Sequence, residues 1–403
     1  MTRLGSLCYE DYPPLDGAYQ DRSYGRRLSL REARGFWRKT REAGLYVHWP
    51  FCRQRCAYCY CDSRVPDPGE EARYLKAVQA ELRLFSKGLR FTSFLLAGGT
   101  PTEAAPGRLE SLLRLAPGAE IVVEATPASL DNEKLRILRA HRISRVDLGI
   151  DSLDAAVLRK AGRVGQDRAV VRAAYEGLAG AGIRVEASLL CGLPEQEESS
   201  FLADVEWVLG LRPSVLRLYA FEPRPQTAFK RCTGCASEAL GLADGLMAAA
   251  GYGCPKKPWR LPRSVLGVGA GAKSHAFAAG WYQHSPLAGR PFRSLGPFFG
   301  MELSLADEER RFIVRGLGVN GRVSRAAFRK TFGRDVMGPG PLSRDLLKME
   351  KAGGLSIQEE EIRLLGPTHS LALLCERKLL QRILRNRSVG LRPTRCRVYE
   401  HQA

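Results

Sequence analysis

The chain has 403 residues, 44% of them apolar and 26% charged, which excludes a disordered polyelectrolyte and is enough to bury a core without disulfide staples. Its 62 Lys and Arg against 43 Asp and Glu leave +19, a field that attracts anions, although a coding bias that writes Arg for Lys gives the same excess. No apolar run has the length of a signal peptide or a membrane span, and eleven cysteines, four of them between Cys52 and Cys61, do not suit a secreted disulfide scaffold. The expectation is a cytoplasmic protein with a metal or reactive-thiol site.

In chain order, an N-terminal arm (1–44) precedes a strand-and-helix rhythm. Strands are predicted over Leu45–Trp49, Phe91–Ala97, Ile121–Thr126, Arg145–Ile150, Arg184–Leu190 and Val215–Phe221. Helical periodicity lies between them over Glu70–Phe85, Leu109–Leu115, Leu130–His141, Arg168–Ala181, Glu198–Leu211 and Glu238–Ala250. Nearly continuous apolar strands alternating with helices predict an α/β fold with a parallel sheet. Six such units without a reversal suit a partial (βα)6 TIM-like barrel over 45–300, with chemistry on the loops after the strand C-termini.

The run Lys256–Gly271, rich in Pro, Gly and basic residues, reads as a loop. Beyond residue 300, helices over Leu305–Leu317, Ser324–Phe332 and Leu342–Ala352 precede short strands Leu355–Gln358 and Ile362–Leu365. With a last helix over Thr368–Leu384, they predict a small winged-helix-like α+β module (301–384) serving as a lid, followed by a frayed basic tail (385–403).

The strongest chemical signal follows the first strand: His48-Trp-Pro-Phe-Cys52-Arg-Gln-Arg-Cys56-Ala-Tyr58-Cys59-Tyr-Cys61. Thiolates of Cys52, Cys56 and Cys59 on one loop can hold three irons of a [4Fe–4S] cube. The fourth iron stays open to a small molecule that chelates through an amine and a carboxylate, as S-adenosylmethionine does. Zinc fits less well, because its ligands come in two separated pairs whereas Cys59 and Cys61 are one residue apart. Cys61 is a thiol able to donate a hydrogen atom, or a small buried apolar group. His48 is a proton shuttle near the loop, or a hydrogen-bonded strand-end histidine.

This cysteine spacing, with Tyr46-Val-His48 before it and Tyr58 inside it, resembles the radical SAM superfamily, in the branch of oxygen-independent coproporphyrinogen III dehydrogenase. That branch also holds a heme chaperone, methyltransferases and cyclopropanases. The resemblance runs from about Tyr46 to Leu384, with a faint echo at Tyr9–Pro13. It implies a [4Fe–4S] cluster and one or two molecules of S-adenosylmethionine. Gly98, Gly99 and Thr100 of the Gly-Gly-Thr-Pro-Thr turn, with Glu124 and Arg163, would position the nucleotide; Arg163 suits its carboxylate.

Tyr46, Tyr58, Ala220 and Lys273 fall at further cofactor-contact positions of the family. Asp151 and Ser188 stand where the dehydrogenase has a Gln and an Asp of a second nucleotide site, which speaks against two-nucleotide stoichiometry. Cys61 matches a fourth cysteine of the dehydrogenase. The Gly267–His275 run resembles the family's glycine-rich segment, and no strand-helix context makes it a dinucleotide loop. Cys232, Cys235 and Cys254 lack a fourth ligand for a second metal site.

The resemblance implies a radical enzyme that abstracts hydrogen from an anionic substrate such as a tetrapyrrole, supplied by an electron donor such as a flavodoxin or ferredoxin. The implied reaction is oxidative decarboxylation; methyl-transfer or cyclopropanation chemistry and heme trafficking are the alternatives. A nucleic-acid-binding role is not expected, since six barrel units exceed what a simple binder needs.

Overall fold

The computed structural model describes residues 26–116, 118–223, 227–230, 236–253, 264–366 and 396–401. The chain divides into two compact units, one of Leu28–Ala276, Tyr282–Phe298 and Val398–Ala403, the other of Met1–Arg27, Phe277–Trp281 and Phe299–Arg397.

The larger unit is built on six successive parallel strands: β1 (Glu42–Trp49), β2 (Arg90–Gly98), β3 (Glu120–Ala125), β4 (Arg145–Asp151), β5 (Arg184–Cys191) and β6 (Val215–Ala220). Between and after them lie helices α1 (Glu70–Phe85), α2 (Pro106–Leu113), α3 (Asn132–Ala140), α4 (Ala155–Lys160), α5 (Arg168–Gly180), α6 (Glu198–Leu211) and α7 (Ala236–Ala249). The α/β fold with a partial barrel is therefore present.

Alternation decides which side chains reach the site. In β1, Leu45, Val47 and Trp49 are buried, and Trp49 packs edge-on against Tyr74 of α1 at 5.8 Å. Tyr46 and His48 consequently face the other side of the sheet. Helix α1 presents Tyr74, Val78, Leu82 and Phe85 at helical spacing to this core. Asp131, Asp154 and Asp167 cap α3, α4 and α5 by accepting backbone N–H bonds, so the start of each of these three helices is fixed by one carboxylate.

Register aligns the C-terminal strand ends. Trp49 pairs with Gly98, Glu124 with Asp147, Gly149 with Ser188 and Cys191 with Ala220. In β4, a slip between Gly149 and Asp151 coincides with a positive φ of 65° at Asp151. The slip turns the end of that strand.

Three expectations are corrected. Part of the predicted Lys256–Gly271 loop is a strand, β8 (Val265–Val268), which runs parallel beside β1 as a seventh parallel strand. Its four residues are too short to stand out among neighbouring Gly and Pro. Helix α4 was not expected, because six residues carry too little period. The tail is not wholly frayed: in strand β13 (Cys396–His401), Glu400 and His401 pair antiparallel with Gly253 and Tyr252 of β7 (Tyr252–Gly253). That partner lies far off in sequence and leaves no local mark. The predicted helix Thr368–Leu384 and the Tyr9–Pro13 segment lie outside the described residues.

In the second unit, α8 (Leu305–Asn320), β10 (Arg322–Ser324), α9 (Arg325–Phe332) and α10 (Pro341–Lys351) precede the hairpin β11 (Leu355–Ile357) and β12 (Glu361–Leu364). Strand β12 pairs with both β10 and β11 in a small antiparallel sheet. Ile313, Leu317, Phe328, Leu346, Leu355 and Ile362 form its core. Ser304 and Asp307 close a capping box at the start of α8, and Gly321 ends it at a φ of 67°.

Candidate active site at the strand C-termini

The cysteine segment is a closed loop between β1 and α1. The Cys52 N–H donates to the Arg64 carbonyl at 3.0 Å, and the Arg64 N–H donates to the Pro50 carbonyl at 2.8 Å. These bonds pinch the loop where it leaves and rejoins the sheet. Inside it, the Cys59 N–H donates to the Cys56 carbonyl at 3.0 Å and the Ser63 N–H to the Cys61 carbonyl at 2.8 Å. The Ala57 N–H reaches the Ala161 carbonyl beyond α4 at 2.8 Å. The loop's base is further fixed by Glu70, wholly buried, which pairs with Arg64 and accepts the Phe292 N–H at 2.5 Å.

Cys52, Cys56, Cys59 and Cys61 are free thiols, each partly exposed. Burial pushes the Cys52 thiol up to about 12 against the pull of the Thr100 hydroxyl, and it pushes Cys56 up despite the Arg163 charge. Cys59 is held down near 6, first by a hydrogen bond from the Cys61 thiol. Cys61 is raised because its S–H is committed to Cys59.

Cys52 and Cys56 each feel the charge of Cys59, and desolvated thiols of this kind ionise most readily against a cation. Among the described residues, no trio of His, Cys, Asp or Glu converges as single-ion ligands do. A cube instead addresses each thiolate with a different iron, so the chemistry of this donor set fits a [4Fe–4S] cluster.

The Gly-Gly-Thr turn abuts this loop. Gly98 has a φ of 124°, and a Cβ there would lie 2.7 Å from the His48 ring. A Cβ on Gly99 would lie 2.6 Å from the Phe51 carbonyl oxygen. Only hydrogen fits at either position, and it allows the turn to lie against the start of the cysteine loop. The Thr100 N–H donates to the Phe51 carbonyl at 3.0 Å, while its hydroxyl lies 3.5 Å from the Cys52 sulfur. Glu124 on β3 accepts the Gly98 N–H at 3.1 Å and fixes the turn from the neighbouring strand.

On the other flank, Tyr58, Asp151 and Arg163 form one network. The Tyr58 hydroxyl donates to Asp151 at 2.6 Å, and Arg163 donates to that hydroxyl at 3.0 Å. Arg163 pairs with Asp151 at 2.9 Å, donates to the Gly149 carbonyl and lies 4.0 Å from the Cys56 sulfur. Its Nε donates to Gln166 at 3.2 Å, whose amide in turn caps the Ile150 and Ser152 carbonyls at 2.6 and 2.9 Å.

His48 bonds through both ring nitrogens, to the Tyr46 hydroxyl at 2.6 Å and to the Asp62 carbonyl at 2.9 Å. Burial lowers its pKa, so it is a neutral brace between β1 and the cysteine loop. Ser188 on β5 is half-buried, Ala220 ends β6, and Lys273 begins strand β9 (Lys273–Ala276), where the Gly267 backbone packs against its carbonyl.

Asp62, Tyr74 and Gln166 also brace the site and are not predicted from the sequence. Asp62 accepts the Leu287 and Ala288 N–H groups at 2.7 and 2.9 Å. Tyr74 donates to the His48 carbonyl at 2.7 Å and accepts the Ala270 N–H at 2.8 Å. Of the three, Gln166 alone leaves a local signal, three residues beyond Arg163 in a turn. Cys232, Cys235 and Cys254 lie outside the described residues.

Residues 46–208 match the model of the radical SAM superfamily. The chain is 32% identical over 209 residues to the oxygen-independent coproporphyrinogen III oxidase of Paracoccus denitrificans, covering 49% of this chain and 46% of that protein. It is 30% identical over 190 residues to the bovine (Bos taurus) mitochondrial radical S-adenosyl methionine domain-containing protein 1, covering 45% and 43%. It is 31% identical over 201 residues to the heme chaperone HemW of Mycobacterium tuberculosis, covering 47% and 52%.

The chain thus spans about half the length of the curated relatives it matches. The coproporphyrinogen III oxidase HemN of Escherichia coli superposes with a TM-score of 0.71 at 20% identity, over 88% of this chain and 93% of that one, a likeness of fold. No helix among the described residues is long and apolar enough to cross a membrane. The cysteine loop, the glycine turn and the ends of the first five strands lie inside the segment that matches the radical SAM superfamily, a family whose cofactors are a [4Fe–4S] cluster and S-adenosylmethionine.

Proposed function

We propose that the chain catalyses oxidative decarboxylation of an anionic tetrapyrrole, in the manner of the oxygen-independent coproporphyrinogen III oxidases. The observation that carries this reading is the 32% identity to the Paracoccus denitrificans enzyme over 209 residues. The net charge of +19 suits a substrate bearing several carboxylates.

Cys52, Cys56 and Cys59 would hold the cluster, and the turn Gly98–Thr100, braced by Glu124, would face the nucleotide. When bound, the pair supplies one-electron cleavage of a sulfonium, and with it a carbon radical able to take a hydrogen atom from substrate. The chain's own part is positional. Glycines keep the turn against the loop, His48 and Asp62 brace the loop, and Tyr58 with Asp151 orients Arg163. Cys61 stands beside Cys59 as a protonated thiol within the same loop. A flavodoxin or ferredoxin would be the electron donor.

A heme-trafficking role is the second reading. The Mycobacterium tuberculosis chaperone matches at 31%, and Asp151 and Ser188 replace the Gln and Asp that the resemblance assigns to a second nucleotide site. The two separate in one experiment on anaerobically reconstituted, reduced protein. Release of 5′-deoxyadenosine from S-adenosylmethionine, with loss of carbon dioxide from coproporphyrinogen III, is the expected result. A Soret shift on adding heme, without nucleotide cleavage, would overturn it for the chaperone.

A further inference from the structure

A cavity lies in the larger unit, away from the cysteine loop. It has a volume of about 600 Å³, within the range that takes small ligands. The short helix Leu30–Gly35 and the segment that follows bring Arg31, Arg34, Arg38 and Arg41 to its wall, and Lys87 joins them from beyond the C-terminus of α1. The lining contains no Asp or Glu.

The five cations have no carboxylate partner among the described residues, although two acids lie close in sequence. Glu32 closes the capping box of its own helix with Ser29, accepting that residue's N–H and hydroxyl at 2.8 Å. Glu42 pairs instead with Arg90 on the neighbouring strand. All five side chains are exposed. Charges of one sign gathered around one concavity repel one another and focus a positive field into it. Elsewhere in the same unit arginines are matched, as Arg145, Arg184 and Arg217 are by Asp147 and Glu186. The walls are also shaped for a ligand that is not purely ionic, since Leu84 lines the cavity and is partly exposed.

We propose that this cavity binds a small polyphosphate anion, either free or carried on a nucleoside. Four guanidinium forks suit phosphate oxygens bidentately, and a chain of two or three phosphates spreads its charge over several of them. The site stands apart from the radical chemistry. Arg41 directly precedes β1, and the cysteine loop follows that eight-residue strand, so the two lie roughly 25 Å apart along it. Occupancy therefore does not depend on the cluster.

The test is isothermal titration of the full chain, without iron or S-adenosylmethionine, with pyrophosphate and with ATP at fixed ionic strength. The expected result is saturable binding of at least one of them, weakened tenfold or more in Arg34→Gln/Arg38→Gln and in Arg31→Gln/Arg41→Gln. ATP binding more tightly than pyrophosphate assigns a nucleoside; equal affinities assign the phosphates alone. Circular dichroism checks that both exposed double variants fold. The proposal is overturned by no saturable binding, or by affinities unchanged in both double variants. It is equally overturned if an RNA oligonucleotide or anionic vesicles bind through these arginines while pyrophosphate and ATP do not.

Discussion

The Asp151 carboxylate lies 2.9 Å from the Arg163 guanidinium, and both bond to the same Tyr58 hydroxyl. Asp151 thus ties a residue of the cysteine loop to the guanidinium that lies 4.0 Å from the Cys56 sulfur. With side chains only 16% and 9% exposed, the pair is desolvated enough that losing one member strands the other. Asp151→Ala is expected to lower stability by about 3 kcal/mol in urea unfolding. Asp151→Asn, which keeps an oxygen for Tyr58, should lose less. Equal stability of Asp151→Ala and the parent chain would show the network to be slack.

The four loop cysteines divide by role. Cys52→Ala, Cys56→Ala and Cys59→Ala are each expected to abolish iron and sulfide incorporation on anaerobic reconstitution, with circular dichroism unchanged. Cys61→Ala should still take up iron, because Cys52, Cys56 and Cys59 supply three thiolates without it. Iron retained by Cys59→Ala and lost by Cys61→Ala would reverse the assignment.

The glycine turn makes a steric prediction. In Gly99→Ala the new methyl group meets Phe51 backbone atoms at 2.6 to 2.9 Å, which cannot rotate away. A cost of about 1–3 kcal/mol is expected, with lower iron uptake because Phe51 adjoins Cys52. Gly241→Ala, in open space within α7, should instead raise stability by about 0.5–1 kcal/mol. Thermal melts of the two variants, shifted in opposite directions, are the check.

A pH dependence is expected from the second unit. Burial alone would raise the Asp335 carboxyl, but hydrogen bonds from Arg325, the Met337 N–H and Arg329 outweigh it and hold it at about 2. A depressed carboxyl contributes stability that is full above the ordinary value of 3.8 and is lost as pH falls through about 2. The side chain is partly exposed, so Asp335→Asn should cost on the order of 1 kcal/mol at neutral pH. The difference between variant and parent chain should shrink as pH falls from about 4 through about 2 in denaturant melts, and a constant difference would refute the linkage.

Much of the barrel was legible because its signals are local. Glu70–Phe85 and Glu198–Leu211 coincide with the helices their periodicity predicts, and the six strands fall within a few residues of their apolar runs. Strands β8 and β13 were not legible. Val265–Val268 gains its strand character from the edge of β1, and Glu400 and His401 gain theirs from β7.

The site divides in the same way. The amino-acid order alone determined the three-thiolate loop after the first strand and the glycine turn after the second, since spacing along a few residues suffices for both. Only the tertiary structure decided what surrounds them. It turned His48 into a brace by placing hydrogen-bond partners at both ring nitrogens, and it joined Asp151 to Arg163 and Tyr58. Contacts between residues far apart in sequence depend on sheet register and strand twist, and a linear pattern of residue types does not encode either one locally.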